Sequence, residues 1–220
     1  MTIKEVFPGV YSIDGKLATK NLTRGKTVYA EELVKLDGAE YRMWTPYRSK
    51  LSAAIMNGLK TFAINEGGSV LYLGASTGTT PSHVSDIVGK SGRVFCLEFS
   101  ERSMRDLIVV CEARGNMLPI LEDAHNVAAY ADIVGECDVI YQDVSAKEQA
   151  EILKKNARLL KSGGYAYFAI KSQSIDVTRP PKEVFKEELK KLEDVFEIVQ
   201  TMSLEPYDGA HLFAVLKKKK

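Results

Sequence analysis

From residue 69 onward the chain alternates between short apolar runs and amphipathic stretches. Ser69–Leu73 is a short apolar run that reads as a strand. Further strands are predicted over 93–97, Met117–Leu121, 138–142, 165–170, 196–202 and 211–216. Helices are predicted between them over 81–88, Glu101–Arg114, 147–160 and 182–193. In the second of these, Met104, Leu107, Ile108 and Cys111 share one face. Ser49 can cap a helix running through Lys60, with Leu51, Ala54, Ile55 and Leu59 on one side.

Residues 1–48 have a different texture. Short β-rich pieces are broken by Pro8-Gly9, Asp14-Gly15, Arg24-Gly25 and Asp37-Gly38. The first Asp-Gly separates Val10-Tyr11-Ser12-Ile13 from Lys16-Leu17-Ala18-Thr19, which predicts a hairpin. The expected organisation is an antiparallel β subdomain over 1–48 and an α/β domain over 49–220. Strand–helix alternation implies a mainly parallel sheet covered on both faces. With no helix between the final two strands, they should pair antiparallel. The expectation is a Rossmann-like, seven-stranded sheet with an antiparallel last strand. That is the architecture of the class I methyltransferases, although fold alone does not fix function.

Composition narrows the picture only a little. Of 220 residues, 45% are hydrophobic and 27% charged, an ordinary globular balance. No apolar run approaches the ~20 residues that span a bilayer. The opening Met1-Thr2-Ile3-Lys4-Glu5-Val6 lacks a signal peptide's apolar core, so a cytoplasmic chain without a membrane partner is expected. Cys96, Cys111 and Cys137 are widely spaced and form no disulfide framework or metal knuckle. Cys96 and Cys137 read as buried small hydrophobes. Net charge is only +1. Proteins that grip nucleic acid alone carry a basic excess, so nucleic acid is either not the target or is held with help. The basic run 217–220 reads as a solvated end, with phosphate contact as its second reading.

The candidate chemistry lies at the carboxyl ends of the strands, where ligands bind in open α/β sheets. The first strand of the alternating region runs into Gly74-Ala75-Ser76-Thr77-Gly78 and then a helix. Glycines there let backbone approach a ligand, and the amides of a helix N-terminus face it. The spacing is G-x-x-x-G, so the dinucleotide fingerprint is incomplete and NAD is disfavoured. The next strand ends at Glu98, twenty residues after Gly78, a place suited to two ribose hydroxyls. Such a charge-assisted bond is worth ~1.5–3 kcal/mol. The third strand ends at Glu122-Asp123-Ala124, where an acid can meet an adenine amino group. Asp143 and Lys171 each follow or close a strand. Lys50 begins a helix and His211 opens the last strand; each alone reads as an ordinary surface or half-buried residue. His83 and His125 read as structural, and no histidine or carboxylate pair has metal-ligand spacing, so no metal is expected.

Longer motifs add a resemblance. The run Val70-Leu71-Tyr72-Leu73-Gly74-Ala75-Ser76-Thr77-Gly78-Thr79-Thr80-Pro81-Ser82-His83-Val84-Ser85-Asp86-Ile87-Val88-Gly89 closely resembles the signature of fibrillarin. Phe7-Pro8-Gly9-Val10, Leu17-Ala18-Thr19-Lys20-Asn21-Leu22 and Glu40-Tyr41-Arg42 extend the likeness. So do Pro46-Tyr47-Arg48-Ser49-Lys50-Leu51, Glu98-Phe99-Ser100, Met104-Arg105-Asp106-Leu107 and Ile170-Lys171-Ser172-Gln173-Ser174-Ile175-Asp176. The Gly/Arg-rich arm of eukaryotic members is absent, which suggests an archaeal form.

The resemblance implies an S-adenosylmethionine-dependent RNA 2′-O-methyltransferase, the catalytic subunit of box C/D guide ribonucleoproteins acting on rRNA and possibly tRNA. It implies cofactor contacts at Gly74, Ala75, Thr79, Thr80, Glu98, Phe99, Asp123, Ala124, Asp143, Val144, Ser145 and Ala146. It makes Lys50, Asp143, Lys171 and His211 a catalytic tetrad, with Lys171 as base for the ribose hydroxyl. Its partners would be a Nop-domain scaffold protein, a kink-turn-binding ribosomal-type protein, the box C/D guide RNA and the target rRNA or tRNA. There are two departures from the family pattern: Ser145-Ala146 stands where Ala-Gln is usual, and Ala210 replaces the acid before the histidine. From the residues alone, a nicotinamide oxidoreductase, a metal-dependent small-molecule methyltransferase and a non-catalytic assembly subunit remain alternatives.

Overall fold

The computed structural model describes residues 2–220. Five strands at the N-terminus, β1 (Ile3–Phe7), β2 (Val10–Ile13), β3 (Lys16–Lys20), β4 (Leu33–Leu36) and β5 (Ala39–Met43), form an antiparallel sheet in the order β1-β2-β3-β5-β4. The Asp14-Gly15 hairpin falls where the sequence predicts it. Both turn residues have positive φ, 47° and 82°, as a two-residue turn matching the strand twist requires.

The rest is α/β. In chain order come α1 (Lys50–Met56), β6 (Ser69–Leu73), α2 (Thr79–Val88), β7 (Arg93–Glu98), α3 (Glu101–Arg114), β8 (Met117–Leu121) and α4 (Ala131–Val134). Then follow β9 (Cys137–Gln142), α5 (Gln149–Asn156), β10 (Leu160–Lys171), α6 (Ser172–Ile175), α7 (Pro181–Lys190), β11 (Phe196–Ser203) and β12 (His211–Lys218). The second sheet has seven strands in the order β11-β12-β10-β9-β6-β7-β8. β8, β7, β6, β9 and β10 run parallel, and β12 enters antiparallel between β10 and β11. The chain leaves β6 first to one side and later returns on the other. The crevice beyond the ends of β6 and β9 is therefore a switch point, the place where such sheets bind ligands.

Helix ends depart from the sequence reading for local reasons. α1 stops at Met56 rather than Lys60 because Gly58 turns left-handed at φ 91°. The Gly58 and Leu59 amides then fold back on Ile55 and Ala54 carbonyls, a capping arrangement that ends a helix. α5 gives way after Asn156 to a tighter turn over Ala157–Leu159. Asn156 points inward to bond the carbonyls of Ala124 and Ile152. The short helices α4 and α6 carry no visible periodicity.

β6 shows why its sequence is apolar throughout. Val70 and Tyr72 enter a core shared with α1, α2 and α3, whereas Leu71 and Leu73 enter the opposite core under α5 and α7. All three cysteines are buried and free. No helix among the described residues is long and apolar enough to cross a membrane.

The two sheets are joined by a buried polar cluster on α2. Arg42 of β5 donates to Glu31 Oε1 (2.5 Å), Asp86 Oδ2 (2.8 Å) and Ser82 Oγ (2.9 Å). Arg114 from α3 pairs with Asp86 Oδ1 and donates to Ser85 Oγ at 2.8 Å. Thr19 donates to Asp86 and contacts His83 Nδ1, both at 2.7 Å, while Tyr29 reaches His83 Nε2 at 2.7 Å. Trp44 stacks on the imidazole with centroids 4.8 Å apart. Burial, and then the neighbouring guanidinium groups, push His83 well below the usual histidine range, so it is neutral. His83 is thus the structural residue its sequence context suggested. Removing one member of such a cluster strands a buried charge. Asp86→Ala is therefore expected to cost about 3–5 kcal/mol, measured by urea unfolding of the full chain. A loss within 0.5 kcal/mol, about the size expected of a surface change, would show that the cluster does not hold the sheets together.

Candidate active site

A cavity of about 460 Å³ opens at the switch point, within the ~300–1,000 Å³ of small-molecule pockets. Its walls come from the loops after four strands: Gly74 and Ser76, Glu98 and Phe99, Glu122 to His125, and Asp143 to Ala146, with Lys171 at one end.

Each wall residue is placed by local backbone chemistry. Gly74 has φ 82°, and a Cβ there would lie 2.8 Å from the Asp143 carbonyl oxygen. Only glycine lets these two strand ends touch. The Asp143 amide donates to the Leu73 carbonyl at 2.9 Å, which locks the junction. Glu98 accepts from the Ser76 amide at 2.7 Å and from the Ser100 amide at 2.8 Å, one on each oxygen. Its remaining lone pairs are available to hydroxyl donors. Phe99 is 73% exposed, an aromatic residue on the rim. Asp123 accepts from the backbone and the imidazole of His125, at 2.8 and 2.7 Å. The backbone bond first, with the imidazole assisting, holds its carboxyl below the usual aspartate range.

At the Lys171 end, charges gather. Asp143 Oδ1 lies 2.8 Å from Lys171 Nζ and 3.2 Å from Lys50 Nζ. Lys171 also donates to the Asp143 carbonyl at 2.8 Å and to Ser145 Oγ at 3.0 Å. These three charged side chains are each less than a fifth exposed, so solvent screening is reduced without sealing the site. Lys171 ends β10 and His211 begins the adjacent antiparallel β12, and the register sets the two directly opposite each other. Lys50 arrives from the first turn of α1, whose cap, Ser49, accepts from the Ser52 amide. Lys50, Asp143, Lys171 and His211, scattered in sequence, thus meet at one end of the sheet.

Not every candidate faces the cavity. Ala75, Thr79 and Thr80 do not line it. Ala75 is buried, and Thr80 turns its hydroxyl away to donate to Ser49 Oγ at 3.0 Å. That bond ties the start of α2 to the cap that begins at Lys50. His125, which reads as structural in the sequence, stands in the wall, as do Ser76 and Glu122, which lie in the candidate loops but outside the expected cofactor contacts. Sequence reasoning overlooked Asp208 beside His211. His211 Nδ1 lies 2.6 Å from Asp208 Oδ1, so the acid partner stands three residues before the histidine, not at position 210. The Asp208-Gly209-Ala210-His211 run was the available signal, since a tight turn returns residues three apart to one another.

The fibrillarin family model matches residues 1–220, the whole chain. The chain belongs to the fibrillarin family. It is 53% identical over 221 aligned residues to a Thermococcus onnurineus fibrillarin-like rRNA/tRNA 2′-O-methyltransferase, covering 98% of both chains. Fibrillarin of Aeropyrum pernix, solved with natively bound S-adenosyl-L-methionine, superposes with a TM-score of 0.91 at 44% identity over 98% of each chain. Fibrillarin from a fibrillarin/Nop5p complex superposes with a TM-score of 0.88 at 40% identity, covering 98% of this chain and all of that one. The seven-stranded sheet with its antiparallel strand is thus the fibrillarin methyltransferase fold.

Within this fibrillarin-family chain, Gly74 is a tight steric point of the cavity wall. Gly74→Ala places a side chain both at positive φ and against the Asp143 backbone. It is expected to cost about 1–3 kcal/mol, read from the unfolding midpoint in urea. An unchanged midpoint would mean that the β6 and β9 ends are free to separate.

Proposed function

We propose that this chain transfers the methyl group of S-adenosylmethionine to ribose 2′-hydroxyls of rRNA, and of tRNA, as the catalytic subunit of a guide-RNA particle. One observation carries the reading: the cofactor-sized cavity and the Lys50–Asp143–Lys171 cluster share a wall, because Asp143 and Lys171 belong to both.

The cavity fits the cofactor by chemistry as well as size. Gly74 admits close backbone approach, Glu98 offers acceptors to a pair of ribose hydroxyls, Phe99 offers a flat apolar face, and Asp123 offers an acceptor to an adenine amine. Ala124, Val144, Ser145 and Ala146 complete the wall. Ala75, Thr79 and Thr80 act behind it, by shaping the loop and the helix start. When bound, S-adenosylmethionine supplies an electrophilic methyl on a sulfonium centre. No covalent enzyme adduct is needed: the 2′-oxygen forms the new C–O bond as the C–S bond breaks.

The protein's share is alignment and proton management. Holding two reactants in line is worth up to ~7–11 kcal/mol. Lys171, in its neutral form, takes the 2′-hydroxyl proton. Asp143 holds Lys171 through both its carboxylate and its carbonyl, and Lys50 keeps positive charge beside the developing oxyanion. Residues 49–220 carry this machinery, and 1–48 act as a subdomain that braces it.

The modest net charge of +1 fits an enzyme that does not hold RNA alone. A Nop-domain scaffold is the direct partner, by analogy with the fibrillarin/Nop5p complex. A kink-turn-binding ribosomal-type protein and box C/D guide RNA complete the particle, and base pairing selects the target. The reading places the chain in an archaeal cytoplasm.

The decisive experiment follows labelled methyl transfer to target RNA by the particle reconstituted from these partners. Wild-type chain is expected to methylate only the guide-paired ribose, and Lys171→Ala to lose ~10²–10⁴-fold, the usual worth of a general base. No transfer by the wild-type particle would overturn the function, and a wild-type rate for Lys171→Ala would overturn the base. Glu98→Gln removes the charge from the hydroxyl acceptor without changing its shape. It is expected to weaken S-adenosylmethionine binding about tenfold in calorimetry, with NAD binding to neither form.

A further inference from the structure

Asp208 takes no part in the reaction as proposed, yet it touches two of the groups that do. It lies in the turn between β11 and β12. Its Oδ1 accepts from His211 Nδ1 at 2.6 Å, and its Oδ2 stands 3.5 Å from Lys50 Nζ. Lys50 reaches Asp143, Asp143 reaches Lys171, and Lys171 faces His211 across the β10–β12 pair. Asp208 thereby joins His211 to Lys50, and through Lys50 and Asp143 to Lys171, whose strand position lies opposite His211. The turn that presents it is fixed at both ends. The amides of Tyr207 and Asp208 donate to the Leu204 carbonyl at 2.9 and 3.0 Å, and Ser172 Oγ donates to the Ala210 carbonyl at 3.0 Å.

We propose that Asp208 is a positioning residue for methyl transfer, fixing the tautomer of His211 and the place of Lys50. The inference rests on the reading of Lys50, Asp143, Lys171 and His211 as the reacting cluster. A neutral imidazole has one donor and one acceptor nitrogen. When Nδ1–H donates to the Asp208 carboxylate, Nε2 is left as the acceptor, and its lone pair is available to the target ribose or to a water beside it. Lys50 carries a flexible four-carbon stem, and a single carboxylate partner would leave it many orientations. Asp143 on one side and Asp208 on the other hold the ammonium group from two directions, at 3.2 and 3.5 Å. The aspartate of a serine-protease triad acts on its histidine by the same principle, through orientation and tautomer rather than by taking the proton.

The test uses the full chain in the reconstituted particle. Asp208→Ala is expected to lower kcat about ten- to hundredfold, part of the ~10²–10⁴-fold worth of a positioned proton acceptor. KM for S-adenosylmethionine is expected to stay unchanged, because Glu98 and Phe99 are untouched. Asp208→Glu should recover part of the rate. The Asp208 side chain is 30% exposed, so the variant should fold, and S-adenosylmethionine calorimetry checks that. The chain has three histidines, which makes long-range proton–nitrogen spectra assignable with a His211→Gln control. At alkaline pH, wild-type His211 should show the Nδ1–H form alone, and Asp208→Ala should shift it to the Nε2–H form or a mixture. Loss of rate in Lys171→Ala but not in Asp208→Ala, or an unchanged tautomer in Asp208→Ala, overturns the inference alone. A wild-type rate in Lys171→Ala overturns the reading beneath it as well.

Discussion

The contact between the Gly74 and Asp143 backbones sets the spacing of everything else at the sheet's carboxyl end. Because residue 74 has no side chain, β6 and β9 can end side by side, with the Asp143 amide bonded to Leu73. That places one aspartate on the border between a cavity for a small molecule and a cluster of lysines. Its carbonyl and carboxylate both engage Lys171, so the lysine is held at two points relative to the cavity wall. Chemistry that depends on in-line approach needs its groups held to about half an ångström. Here the residues that set the tolerance come directly after the strands and are tied back to them by the Asp143–Leu73 backbone bond.

The N-terminal sheet is remote from the cavity, yet it fixes Lys50. Arg42, Thr19, Tyr29 and Trp44 grip one face of α2 through Ser82, His83 and Asp86. At the start of the same helix, Thr80 bonds Ser49, while Ser52 Oγ bonds the Trp44 carbonyl at 2.9 Å. α1 is therefore suspended between the helix that follows the Gly-rich loop and the end of the N-terminal sheet. Buried ion clusters are weak evidence for net stability, since desolvation offsets most of their attraction. Their directional demands make them good at specifying one docking geometry, which is what the placement of Lys50 on Asp143 requires.

Much of this was legible in the sequence where local rules govern. Alternating apolar runs marked the elements of the sheet, Asp14-Gly15 marked the hairpin, and the spacing from Gly78 to Glu98 pointed to two loops that line the cavity. Signals that depend on packing were not legible. Periodicity cannot show that Thr80 turns toward Ser49 rather than the cavity, because that follows from a neighbour distant in the chain. The end of α1 at Gly58 is a local backbone signal that apolar spacing alone does not carry. Asp208 was missed for another reason. Its importance comes from contact with Lys50, far off in sequence, which the turn before His211 does not by itself reveal. The roles assigned to the cluster were suggested by family resemblance. The geometry adds which atoms are close enough to act.

The balance of charge in the cluster bears on how substrate arrives. Two ammonium groups face two carboxylates, with an imidazole at one end, so the site offers a delivered phosphate backbone little net attraction. Affinity for nucleic acid grows with the number of phosphates neutralised, and each such contact releases counterions. A cleft whose lysines are already paired with carboxylates can neutralise few. Those same pairings are what hold the lysines still. A lysine released to grip phosphate would no longer be held against the cavity wall. The proposed separation of RNA binding, left to partners, from methyl transfer, kept in this chain, rests on a single conflict over what the cleft lysines must do.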